Sequence, residues 1–146
     1  MRSIRGMYLK HKPGVYYCTN DKYINDASIE FLLEAASEDE LSLARLCLHP
    51  NHESHLMSML LVVKNFYTYP PHKHDWKDES YTILRGSCVY EEYNHERAVT
   101  SRHFLPEKSS FFNSRRTFHT LIPQTDVLAF LEHTVGPFSS QKPIFL

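Results

Sequence analysis

The chain has 146 residues, of which 42% are hydrophobic and 23% charged, and a formal net charge of -1. That is enough apolar sequence for one core. It lacks the basic field that nucleic acid or an anionic membrane attracts, and no apolar run approaches the roughly 20 residues of a spanning helix. Met1 to Gly6 carry charge with no apolar stretch behind them, so no secretory signal is expected. Cys18, Cys47 and Cys88 are far apart and form no C-x-x-C. This pattern predicts reduced thiols in a cytoplasm and not a disulfide framework.

Residues 1–25 read as an extended, Tyr-rich arm with a turn at Pro13-Gly14 and a strand over Val15–Cys18. Ile29, Leu32, Leu33 and Ala36 then fall at i, i+3, i+4 and i+7, with Glu30 and Glu34 opposite. That spacing predicts a short amphipathic helix, roughly 27–37 within the segment 26–40, capped by Asp26 or Ser28. Its apolar stripe needs cover, from its own barrel or from a partner. From residue 41 the pattern is β, with strands expected at 43–48, 55–65 continued by 66–69, 80–93 broken at Gly86, and 98–105 after a turn at 94–97. Further strands are expected at 111–112, 118–122 and 127–134, before an irregular tail over 136–146. One helix followed by many short strands predicts a mainly β sandwich or barrel over 41–135, within a single domain of 1–146.

Between Pro70-Pro71 and Gly86 the sequence runs His72-Lys73-His74, four residues, Glu79, then six residues to Gly86. Residues i and i+2 of a strand share a face, so His72 and His74 can both point inward. A turn over 75–78 would return Glu79 at the same height on the next strand. Two imidazoles and a carboxylate with open positions suit one divalent transition metal such as Zn, Fe, Mn or Ni. His119, on a distant strand, is the candidate fourth ligand. Taken alone, His72 and His74 also fit a surface hairpin, and His119 also fits a satisfied core histidine. Gly86 reads as a bend or a positive-φ position. Arg45 is either a surface cation or an inward anion hook. Tyr81 shares a face with Glu79 and Ile83, and so lines a pocket or fills core. His49, His52 and His55 do not converge by spacing.

The run from His72 to Gly86 resembles the first cupin motif, and His119 stands where the second motif places its histidine. Phe66, Ser114, Arg116 and Pro123 stand where that pattern has Gly, Pro, Gly and Asn. A narrower resemblance covers most of the chain. It is carried by Leu43-Ala44-Arg45-Leu46-Cys47-Leu48-His49-Pro50, Tyr69-Pro70-Pro71-His72-Lys73-His74, His119-Thr120-Leu121-Ile122-Pro123 and Thr134-Val135-Gly136-Pro137-Phe138. These segments are similar to the WbuC-type cupin-fold metalloproteins.

The resemblance implies a jelly-roll β-barrel with one metal on His72, His74, Glu79 and His119. It also implies His49 near the barrel mouth and a link to bacterial surface-polysaccharide metabolism. The expected function is then Lewis-acid chemistry, isomerase-like, epimerase-like or lyase, on a sugar or sugar nucleotide. Arg45, His49 and Tyr81 are the expected substrate contacts. The alternatives are an Fe(II)-dependent dioxygenase of a small organic acid and a non-catalytic ligand-binding cupin. A small-molecule ligand and a homodimer are the expected partners.

Overall fold

The computed structural model describes residues 7–20, 22–138 and 141–146. The expectation about Met1 to Gly6 lies outside them. The arm forms strands β1 (Tyr8–Lys12) and β2 (Val15–Cys18), followed by helix α1 (Asp26–Glu38). The sheets are built from β3 (Leu43–Cys47), β4 (Leu56–Lys64), β5 (His72–Lys73), β6 (Glu79–Arg85) and β7 (Cys88–Tyr93). They continue with β8 (Val99–Leu105), β9 (Ser110–Asn113), β10 (Phe118–Pro123), β11 (Val127–Val135) and β12 (Ile144–Phe145). One sheet runs β1-β2-β3-β4-β11-β6-β9 and the other β12-β5-β10-β7-β8. Only β2 and β3 pair in parallel; the other pairs described are antiparallel.

The helix starts one residue earlier than the sequence spacing predicts, because Asn25 caps it and Asp26 and Ser28 do not. The Asn25 side chain accepts from Ser28 N at 3.2 Å, and Ser28 Oγ accepts from Asn25 N at 3.1 Å, a reciprocal capping box. Ile29, Leu32, Ala35 and Ala36 pack on Ala44, Leu46, Leu60 and Val62 of the large sheet, with Tyr16 of the arm. The stripe is therefore covered within the chain, so it does not supply the surface that suggested a homodimer. The other face of the same strands sends Cys47, Met59, Leu61 and Val63 between the sheets, against Ile83, Tyr90 and Phe130. Strand β4 is buried on both faces, which is why its sequence is a nearly unbroken apolar run.

Two departures concern chain ends. Residues 66–69 do not continue β4: Asn65 and Phe66 adopt φ of 59° and 53°, and two left-handed residues in succession end the strand. The tail is not wholly irregular, since Ile144 and Phe145 pair with Lys73 and His72. Apolar patterning gave no sign of a two-residue edge strand.

Candidate metal centre

The segment around His72 is held by its neighbours on both sides. In register, His72 faces His119 on β10 and Phe145 on β12. The turn after His74 is fixed by Thr134 Oγ1, which donates to Asp78 O at 2.7 Å, and by Arg115 N, which donates to Asp78 Oδ1 at 2.8 Å. Glu79 then opens β6 opposite Thr134. The loop leading to His119 turns at Arg116, with φ of 67°, and Arg116 N donates to His74 O at 2.7 Å. Phe66 and Arg116 thus hold the left-handed conformation where the motif has glycine, so the turns survive without it. Each non-glycine residue there costs roughly 1 kcal/mol. Arg116→Gly should therefore raise stability by about 1 kcal/mol, readable as a higher denaturation midpoint. An unchanged or lower midpoint would remove the strain argument. Gly86, at φ 77°, is a true positive-φ glycine, and a Cβ there would sit 2.3 Å from Val127 O.

The four predicted ligands meet. Glu79 Oε1 lies 3.3 Å from His74 Nε2, and Glu79 Oε2 lies 3.4 Å from His119 Nε2. The His72 ring centroid is 4.6 Å from that of His119 and 5.2 Å from that of His74. His72 Nδ1 faces Pro70 O at 3.0 Å, and His119 Nδ1 faces Thr117 O at 2.9 Å. A carbonyl only accepts, so each Nδ1 carries a proton and each Nε2 is left for a ligand, the outer-shell pattern of metal-bound histidine. His74 Nδ1 is buried without a hydrogen-bond partner.

Burial pushes the His72 and His74 imidazoles down to about 4, so both are neutral at pH 7. Burial alone would raise the Glu79 carboxyl. The contact with His119, the Lys77 charge and a hydrogen bond from Tyr81 outweigh it and hold the group well below the usual carboxylate range. Lys77 Nζ is 3.2 Å from Glu79 Oε1, and Tyr81 Oη donates to Glu79 Oε2 at 2.5 Å. Among the described residues no three of these side chains are drawn together closely enough to hold an ion as they stand. Lys77 and the Tyr81 hydroxyl supply the positive side that a cation would otherwise supply. The donor set fits a divalent ion: three imidazoles and one ionised carboxylate, with two tautomers fixed from outside.

Sequence reading missed two ionisable residues of the site. Lys77 lies in the turn. Glu132 on β11 pairs with Tyr81 and points into the cavity. Its signal was available in the alternation Leu128, Phe130, Glu132, Thr134, where an acid falls on an inward apolar register. Burial, followed by the Glu79 charge, raises the Glu132 carboxyl to about 8, so it keeps its proton at neutral pH. Tyr81 is fully enclosed and stays a neutral phenol, its pKa raised first by burial and then by Glu79.

The site opens into a cavity of about 910 Å³ whose wall is mainly apolar. Tyr81, Arg45 and His49 all line it. Arg45 points inward from β3, with Leu43 and Cys47 on the same face. His52 and Trp76 line it too.

The family model described as Domain of unknown function (DUF6016) matches residues 24–105, more than half of the chain. The chain belongs to the DUF6016 family. No curated protein matches it. Solved structures resemble this DUF6016 chain at the level of fold. DMSP lyase DddQ from Ruegeria pomeroyi DSS-3 aligns with a TM-score of 0.60 and 17% identity, covering 87% of this chain and 72% of that one. A cupin-2 domain protein from Rhodospirillum rubrum aligns with a TM-score of 0.59 and 14% identity, covering 72% and 66%. Bacillus subtilis oxalate decarboxylase, in a study of its Mn(II) centers, aligns with a TM-score of 0.54 and 15% identity, covering 64% of this chain and 24% of that one. The DUF6016 chain thus has the cupin jelly-roll fold. No helix of the described residues is long and apolar enough to cross a membrane.

Proposed function

We propose that this chain is a metal-dependent cupin acting on a small molecule held inside the barrel. One divalent ion, Zn, Fe, Mn or Ni, would be held by His72, His74, Glu79 and His119. The observation that carries the reading is the meeting of three imidazoles with an ionised, buried Glu79, two of the imidazoles being fixed through Nδ1 by main-chain carbonyls. The Mn(II) centers of one fold relative are consistent with it.

When bound, the ion supplies Lewis-acid polarisation of a substrate carbonyl or carboxylate. The chain's own groups supply the rest. Glu132 keeps a proton on its carboxyl beside Glu79, where it can be given to a substrate oxygen or carbon and later recovered. Tyr81 Oη is a fixed donor at the same height. Apolar walls exclude water from these groups. This arrangement suits an isomerisation or an elimination. The relatives reported above give no support to the surface-polysaccharide association or to the WbuC-type assignment.

The test is turnover of a panel of small hydroxy and keto acids and sugar nucleotides by protein loaded in turn with Zn, Mn, Ni or Fe(II). Metal-dependent conversion that Glu132→Gln abolishes, with metal content retained, is the expected result. Stoichiometric O₂ uptake by the Fe(II) form alone would favour the dioxygenase alternative. Binding without conversion in every metal form would leave a non-catalytic cupin.

A further inference from the structure

The cavity has a second polar position, away from the metal centre. Arg45 lies on β3 in register with Leu61, Phe130 and Ile83, so it is three strands across from Glu79 and four residues further along. It lines the cavity, and its side chain makes no hydrogen bond or ion pair among the described residues; its acidic neighbour, Glu132, is within electrostatic reach but kept protonated by burial. A half-buried cation in an apolar wall is costly unless an anion meets it. His49, two residues past the end of β3, is only 5% exposed and lines the cavity. Its Nδ1 is taken up by Ser58 at 3.1 Å, while its buried Nε2 has no hydrogen-bond partner. Met59, Leu61 and Phe130 form the wall between this strand and the metal centre.

We propose that the ligand of this cavity is an amphipathic carboxylic acid whose acid group pairs with Arg45, whose apolar body lies on Met59, Leu61 and Phe130, and whose far end reaches the metal centre. The inference rests on the proposed function only for what happens at that far end. A volume of about 910 Å³ is at the large end for small-molecule pockets, roughly 300–1,000 Å³, and far exceeds what a small acid fills. At usual strand spacing and rise, three strands and four residues put Arg45 and Glu79 roughly 20 Å apart along the sheet, so an extended ligand of about eight carbons is needed to run from the guanidinium towards the metal centre. His49 Nε2 would meet a polar atom along the body.

The test is calorimetric titration of octanoate, octan-1-ol, citrate and uridine diphosphate glucose into wild type, Arg45→Met and Arg45→Gln, each chelated and metal-loaded. Octanoate should bind the wild type in both forms, more tightly than citrate or the sugar nucleotide. Loss of the charged pair should weaken octanoate roughly tenfold or more in both variants. Octan-1-ol should bind wild type and variants alike, which also shows that the variants are folded, and metal content should be unchanged. Octanoate affinity unaffected by either Arg45 variant would overturn the inference, as would tighter binding of citrate or the sugar nucleotide. Octanoate binding that vanishes on chelation would overturn it too, because the acid would then sit on the metal. If the protein takes up no metal but binds octanoate through Arg45, this inference stands and the metal reading alone falls.

Discussion

Chelation at pH 7 should lower the melting temperature by roughly 10 °C, and acid should release the metal only between about pH 5 and pH 4. The first figure follows from mass action: an ion at about a thousand times its dissociation constant adds about 4 kcal/mol, and each kcal/mol moves a domain of this size by about 2–4 °C. The second follows from the histidines. Free imidazole titrates near about 6.5, but burial holds His72 and His74 at about 4 in the folded chain. Protons therefore compete with metal in the native site only near that lower value. The unfolded chain takes up these protons below about 6.5, so between there and 4 it binds more protons than the native state. Stability then falls as pH falls, by roughly 3 kcal/mol per histidine at most. Metal loss and acid unfolding should coincide. Elemental analysis after dialysis at stepped pH, beside thermal melts, reads both. Metal leaving near pH 6.5 from a folded protein would contradict the buried, neutral histidines.

In the metal-free protein the opposite slope should come from Glu132. Its carboxyl is raised to about 8 in the fold, above its unfolded value. The native state therefore binds the extra proton between the two values. The stability this contributes is complete at low pH and is lost as pH rises towards 8. Chelated Glu132→Gln should match chelated wild type near pH 5 and exceed it by roughly 2–4 kcal/mol at pH 8, the histidine contribution cancelling in the difference. Denaturant titrations at the two pH values measure this. A wild-type to variant gap that does not change with pH would show that Glu132 is ionised in the fold, and its role as proton carrier would fall with it.

The parts of the site that were legible in sequence are those fixed by local geometry. His72 and His74 are two apart on an extended segment, and Glu79 follows a short turn, so the chain between them leaves little freedom. The helix was legible because its stripe repeats at helical spacing, and β4 because its residues are apolar on both faces. Glu132 was legible only in part: the alternation along β11 marks it as inward, but its partner Tyr81 is distant in sequence and only strand register brings them level. The pairing of Phe145 beside His72 is equally non-local. The turns at Phe66 and Arg116 escaped because a non-glycine residue at positive φ leaves no mark in the sequence. Arg45 was left between surface and interior, and the register of β3 on β4 turns it inward.

The most direct test of the metal centre is elemental analysis of protein purified without chelator, wild type beside a His72→Ala, His74→Ala double variant whose folding is checked by circular dichroism. Near one transition-metal ion per wild-type chain, with almost none in the folded variant, is the predicted result. Equal metal content in the two would contradict a centre built on His72, His74, Glu79 and His119.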